Sequence, residues 1–340
     1  MGIMAVARVL LLASALVIAS GVSEAQQGKV PRVGLLVLGG PGGQGAGSAS
    51  TIDAFRRGLG ELGYVEGRNI SIELRFAEGQ LDRVPEFAAE LLRLDADVIV
   101  TFGAVGVRAV QKAGPKVPVV FAAVIDPVAV GFAATLERPG GNITGITSFD
   151  PQQPRKEFEL LMQVLPGLAR VAILSDQDIP DAPSDPGWNP LERAVDTAAR
   201  ALGLRPQMLK VKGPNPDLDA AFASMKREGV EALVALEVPV VGINQKKIAE
   251  LAIAHRLPTM FVGGRGRSDA GGLIAYGTSI LDTLPPLPGY VDRILKGAKP
   301  SDMPIEVITR HAVIFNLRTA RAIGVTIPPA LLKQADQVIE

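Results

Sequence analysis

Residues 118–150 read PVVFAAVIDPVAVGFAATLERPGGNITGITSFD, and the fold follows from how this stretch is parsed. Residues 119–124 form a continuous run of apolar side chains, as a strand covered on both faces requires. Asp126-Pro127 stops that run, because proline has no N–H to donate to a sheet and restricts the residue before it. The pattern then predicts a short apolar helix, a turn at Pro139-Gly140-Gly141 and a second strand over Ile143–Thr147. Runs of alternating strands and helices lie on both sides of the segment. It therefore ends one α/β lobe and begins the crossover into another.

Working outward, 30–38, 69–76 and 97–101 read as strands, and 51–64, 81–94 and 103–113 as amphipathic helices. Beyond the segment, strands are predicted at 170–174, 206–211, 232–236, 258–262 and 272–276. Helices are predicted at 155–165, 191–202, 218–228 and 243–255. This rhythm gives parallel pairing through helical crossovers. In the tail, prolines in LDTLPPLPGYVDRIL delay a helix start to about 287–290, and a strand at 305–309 and a helix at 317–323 follow. The tail is expected to return to the first lobe and cross back to finish on the second. The expected fold is α/β, two doubly wound parallel-sheet lobes joined by crossing hinge strands. Lobe 1 comprises 29–146 plus 278–304, and lobe 2 comprises 147–277 plus 305–340.

Length and composition agree with two lobes. The chain has 340 residues, 47% hydrophobic and only 4% aromatic, so aliphatic side chains fill two ordinary cores. Lysine plus arginine and aspartate plus glutamate number 35 each, leaving no net field to attract nucleic acid or an anionic membrane. Residues 1–25 read as a signal peptide: Arg8, then the apolar VLLLASALVI (9–18), too short to span a bilayer, then Ser23-Glu24-Ala25 as cleavage signal. There is no cysteine, hence no lipid-anchor thiol and no disulfide. The expected product is a monomer exported to the periplasm and not lipid-anchored.

Enzyme and cofactor motifs fail one by one. Gly40-Pro41-Gly42-Gly43-Gln44-Gly45 matches the dinucleotide fingerprint, but the next helix opens only near Ser50, and no acidic residue ends the second strand about 20 residues on. The same loop lacks the Lys-Ser/Thr of a P-loop. There is no G-x-S-x-G elbow, and the two histidines, His255 and His311, lack the close-spaced partners of a zinc site. The acidic loop SDQDIPDAPSD is broken by prolines and lacks the glycine and final glutamate of a calcium loop. No cofactor and no metal is expected.

In open α/β sheets, ligands sit beyond the carboxyl ends of the strands, where helix N-termini attract anions. Gly40, Gly103, Ala104, Ala123 and Gly264 lie at such ends. Ser48, Ser50, Thr101, Ser148 and Gln177 are candidate hydrogen-bond donors there. Asp126, Asp176 and Glu237 are candidates to hold an ammonium, and Arg265 with Arg267 a carboxylate. Each is equally readable as a cap or turn residue. On residues alone, an exported α/β enzyme of hydrolase type and a ligand sensor docking on a membrane receptor remain open alternatives.

Four longer stretches carry a resemblance. They begin at AFRRGLGELGYVEGRNISIELRFAEGQ, VPVVFAAVIDPVAVGFAATLERPGGNITGITS, LPTMFVGGRGRSDAGGLIAYG and YVDRILKGAKPSDMPIEVITRHAVIFNLRTARAIGV. In order and spacing they resemble the ABC-transporter substrate-binding proteins that include the TrpX-type tryptophan-binding proteins, with a type I periplasmic binding fold. The resemblance implies a two-lobed receptor that closes on a small molecule and delivers it to an inner-membrane ABC permease and its ATPase. An amino acid-like or carboxylate compound is the expected ligand.

Overall fold

The computed structural model describes residues 29–40, 49–114, 116–264 and 270–340. The expected signal segment, Ser48, Arg265 and Arg267 lie outside them, and of Ser50 only the backbone is described.

The first run comprises β1 (Arg32–Val37), α1 (Ala49–Glu61), β2 (Ser71–Phe76), α2 (Val84–Arg93), β3 (Val98–Phe102), α3 (Gly103–Ala113), β4 (Val119–Ala122) and β5 (Ile143–Thr147). β3, β4 and β5 are buried at every position, while β2, at the sheet edge, is half-buried throughout. The apolar runs of β3 and β4 foretell their burial, and β2 takes the edge position expected of it, without the alternation of burial that NISIELRF suggests. One face of the sheet carries Ile52, Phe55 and Leu59 from α1. The other carries Val84, Phe87 and Leu91 from α2 with Val107 and Val110 from α3.

The second run comprises α4 (Gln153–Val164), β6 (Arg170–Asp176), α5 (Pro190–Ala201), β7 (Arg205–Val211), α6 (Leu218–Arg227), β8 (Ala232–Ala235), α7 (Pro239–Ile243), α8 (Gln245–Ala254), β9 (Thr259–Val262) and β10 (Ile274–Thr278). Its core is one cluster running from Phe158 on α4 to Leu331 in the tail. The helix expected over 243–255 forms as α8, and the short α7 precedes it, with Asn244 between them: its Nδ2 donates to the Pro214 and Val240 carbonyls, both at 2.9 Å.

The tail comprises α9 (Leu287–Leu295), β11 (Glu306–Val307), β12 (His311–Asn316), α10 (Leu317–Ile323), α11 (Pro329–Leu332) and β13 (Gln337–Ile339). Leu287, Tyr290, Val291 and Ile294 of α9 complete the α1 face of the first sheet. The sheet orders are β11-β5-β4-β3-β1-β2 and β13-β12-β10-β9-β8-β6-β7. The chain passes between lobes three times: after β5, after β10 and after β11.

Three local expectations are corrected. No helix forms over 127–137; Asp126 takes a left-handed backbone (φ 44°) and the segment runs in turns. Arg108 holds that segment from α3, stacking 4.6 Å over Phe132 and donating to the Val130 carbonyl at 2.8 Å. β11 pairs with β5 in the first sheet, so the last passage to the second lobe follows Val307 rather than 304. β12, not expected as a strand, lies antiparallel to β10, because the chain re-enters the second lobe at its cleft edge and must run away from it.

Candidate functional site

The carboxyl ends of the two parallel sheets face each other. From lobe 1 come Leu38 after β1, Gly103, Ala104 and Val105 opening α3, and Ala123 and Ile125 after β4. From lobe 2 come Ile179 and Pro180 after β6, Asn189, Pro190 and Leu191 at the start of α5, and Glu237, Val238 and Pro239 between β8 and α7. Together these described residues bound a cavity of about 70 Å³. Ala123 has φ 57°, a conformation uncommon for a side-chain-bearing residue and one that concentrates at ligand clamps. Gly103, with φ 72°, makes the equivalent turn from β3 into α3 at no side-chain cost.

The two walls differ in how their helices start. α3 has Phe102 at its N-cap and no side-chain cap, so its first N–H groups are left for water or a ligand. On the lobe-2 wall the helix starts are capped. Asn189 Oδ1 accepts from the Glu192 N–H at 3.0 Å while Glu192 Oε2 accepts from the Asn189 N–H at 3.2 Å, a reciprocal box. Buried Glu192 is also paired with Lys210 at 2.7 Å. Asp176 accepts from the Val240 N–H of α7 at 2.9 Å and from the Asp178 N–H at 3.0 Å. Burial nevertheless pushes its carboxyl above the usual carboxylate range.

Behind Glu237 lies a further carboxyl, Glu157 on α4. It accepts from Gln153 Nε2 at 2.7 Å and is buried, and burial with the nearby Glu237 charge pushes it up to about 7 against the Gln153 hydrogen bond. The hinge passes beside it. Asp150, leading into α4, lies 3.6 Å from His311 of β12, whose ring stacks on Tyr276 of β10. Across the far mouth of the cleft the lobes touch: a Cβ at Gly79 (φ 79°) would stand 2.4 Å from Ile243 Cδ1 and 3.2 Å from Pro214.

Of the residues singled out from sequence, Gly103, Ala104, Ala123 and Glu237 border this cavity together. Thr101 does not: it is fully buried and its hydroxyl donates to the Leu36 carbonyl at 3.0 Å inside the sheet. Asp176 caps backbone N–H groups instead of presenting a free carboxylate. Asp126 accepts from the Ala129 N–H at 2.9 Å and borders an outer groove with Phe149 and Trp188. Gln177 is exposed and Ser148 buried at the first hinge passage, neither on the cavity. A Cβ added at Gly40 would meet Glu78 Cγ at 3.5 Å, and one at Gly264 the Gly277 carbonyl at 2.7 Å. Arg265 and Ser48 fall outside the described residues. Sequence reasoning passed over the Asn189 box and Glu157. The signals were present: N-P-L-E is a capping pattern, and Glu157 shares its helical face with Leu161 and Val164.

Trp188 packs within the lobe-2 loop, with the Arg193 guanidinium 4.2 Å from its ring centre and Arg193 paired to Asp185 at 2.5 Å. Among the described residues no group of three or more histidine, cysteine or acidic side chains could hold a metal ion, and no helix is long and apolar enough to cross a membrane.

Three comparisons bear on this arrangement. Residues 44–339 match the family model described as ABC transporter substrate binding protein. A tyrosine-binding protein of Clostridioides difficile (strain R20291) is 20% identical over 282 residues, covering 79% of this chain and 75% of its own. The crystal structure of the ABC domain in complex with L-Trp from Streptococcus pneumonia superposes with a TM-score of 0.79 at 21% identity, covering 91% of this chain and 99% of that one. A ligand-free, open substrate binding protein with adhesive properties from Clostridium difficile gives 0.60 at 21% identity, over 92% and 99%. The shared architecture is the type I periplasmic binding fold.

Proposed function

The chain belongs to the family of ABC transporter substrate binding proteins, which are solute-binding proteins rather than enzymes, and from that premise we propose that it captures an amino acid outside the inner membrane and presents it to an ABC permease for import. The carrying observation is the opposed polarity of one cavity. Lobe 1 offers the uncapped helix start at Ala104–Val105, where N–H groups and the helix dipole favour a carboxylate. Lobe 2 offers Glu237, where an ammonium is favoured. A zwitterion bridges the two walls and a neutral solute does not.

Capture works by closure. A ligand touching both walls stabilises the closed arrangement only by its differential affinity for it. The contact of Gly79 with Pro214 and Ile243 fits an arrangement in which the walls have already met. The known ligands of the tyrosine-binding and L-Trp-bound relatives support an aromatic amino acid as first choice. Export rests on the N-terminal signal pattern, and cleavage after Ala25 leaves a mature chain beginning at Gln26.

The test is calorimetry of the purified mature chain with L-tyrosine, L-tryptophan and a panel of other amino acids. The expected result is a micromolar dissociation constant for at least one, about 8 kcal/mol of binding free energy. Binding of none of the panel removes this reading. N-terminal sequencing of the protein from an osmotic-shock fraction, expected to start at Gln26, tests the location separately.

A further inference from the structure

Just beyond β4 the backbone is left-handed twice, at Ala123 (φ 57°) and at Asp126 (φ 44°). Neither residue is glycine, and such positions persist only where their surroundings hold them, often at clamps and switches. Here the holding groups are hydrogen bonds on both sides. The Ala123 N–H donates to the Ile146 carbonyl of β5 at 3.0 Å, and the Thr147 hydroxyl donates to the Val124 carbonyl at 2.7 Å. Thr147 Oγ1 also accepts from the Phe149 N–H at 3.0 Å, so the first passage between the lobes is tied to the same point. On the other side, Asp126 accepts from the Ala129 N–H through its side chain at 2.9 Å and from the Val130 N–H through its carbonyl at 3.1 Å.

The two residues between the left-handed positions point into different lobes. Val124 is fully buried in a core cluster of lobe 1, with Val107 and Val110 of α3. Ile125 is half-buried and packs against the core cluster of lobe 2, the cluster that presents Leu191 and Val238 to the cleft cavity. Ile125 borders that cavity as well. One apolar side chain of lobe 1 thus takes its cover from the other lobe, on a base fastened at both ends. A hinge motion that parts the lobes uncovers it to water, so its burial favours the closed arrangement whatever the cleft contains. The lobes also meet at the mouth, where Gly79 lies against Pro214 and Ile243.

We propose that Ile125 is a peg that positions the two lobes: seated in lobe 2, it populates the closed arrangement before a ligand arrives and lowers the closure cost that ligand binding must offset. The apparent dissociation constant of a two-lobed receptor is the intrinsic one divided by the fraction already competent. Ile125 acts on that fraction. Its effect is therefore the same for any occupant of the cleft and does not depend on the ligand being an amino acid.

The chain has no cysteine, so a pair of spin labels can be introduced without background. Asp82→Cys and Asp219→Cys place them at exposed positions, close in sequence to Gly79 and Pro214 of the mouth. In the protein without ligand, Ile125→Ala is expected to shift the distance distribution between the labels to longer values. Ile125→Val should shift it little, and Val128→Ala, exposed on the adjoining turn, not at all. A distribution that Ile125→Ala leaves unchanged, or that Val128→Ala shifts equally, overturns the proposal. Stopped-flow binding then separates a peg from a wall of the ligand site. Removing about three methylene equivalents from a half-buried side chain should raise Kd by up to ~10-fold, through faster release and without slower capture. The factor should be equal for L-tyrosine and for its deamino analogue 3-(4-hydroxyphenyl)propionate. Slower capture, or a factor that differs between the two, makes Ile125 a ligand contact and overturns the proposal. If neither ligand binds, the amino acid reading of the cleft fails by itself, and the label distances, which need no ligand, decide the peg.

Discussion

Across the cleft, the lobe-1 wall consists of Leu38, Gly103, Ala104 and Ala123, small or apolar side chains around exposed main chain, whereas the lobe-2 wall presents Glu237, backed by Glu157, Asp176 and Glu192. The lobe-1 helix start is uncapped and the lobe-2 starts are capped by the protein's own side chains. The contrast teaches that one wall supplies shape and oriented N–H groups while the other supplies charge. On the function proposed above, selectivity between ligands of similar outline is expected from lobe 2.

The largest effect tests whether the lobes are independent supports for those walls. Phe121 on β4 and Phe158 on α4 are both fully buried, one in each lobe. Truncation of either to alanine should cost about 3–5 kcal/mol of stability. Calorimetric scanning is expected to show Phe158→Ala lowering the transition that L-tyrosine protects just as Phe121→Ala does, since the ligand needs both walls. Insensitivity of binding to one of them would place the site within a single lobe.

Next comes the charge itself. Glu237→Gln should weaken amino acid binding by about 1.5–3 kcal/mol, the range for a hydrogen bond to a charged group, while leaving the deamino analogue unchanged. Equal losses for both ligands would erase the contrast between the walls. A smaller effect belongs to the mouth. Gly79→Ala places a Cβ against Ile243 in a left-handed backbone, costing about 1 kcal/mol in the closed arrangement. Small-angle scattering should register a larger radius of gyration at subsaturating ligand. The smallest is Asn189→Ala, which removes the cap of α5 and should lower stability by about 1 kcal/mol while binding shifts little.

The alternation of strands and helices was legible because strands buried on both faces are apolar for most of their length, as β4 (VVFA) is, and the strand expected over 143–147 forms with those bounds. Residues 127–137 misled because VAVGFAATLE has helical composition; what decides there is the Arg108 tether and the left-handed Asp126, both set by tertiary contacts. β12 and β13 escaped notice because their pairing partners lie far away in sequence and His311–Asn316 follows no clean alternation. At the site, position relative to strand ends identified Ala104, Ala123 and Glu237. It could not separate a hydroxyl facing the cleft from one turned into the sheet, as Thr101 is. Glu157, set in the charged string RKEFE, looks like surface until the helix is docked and its face turns inward.

The three passages between lobes have a consequence for synthesis. The first sheet lacks its edge strand until residues 306–307 are made, and the second lacks two strands until 311–339 follow. A chain still attached to the ribosome thus holds two unfinished sheets, each waiting on the final stretch of polypeptide. A late finish of this kind ties the completion of both lobes to one shared closing segment.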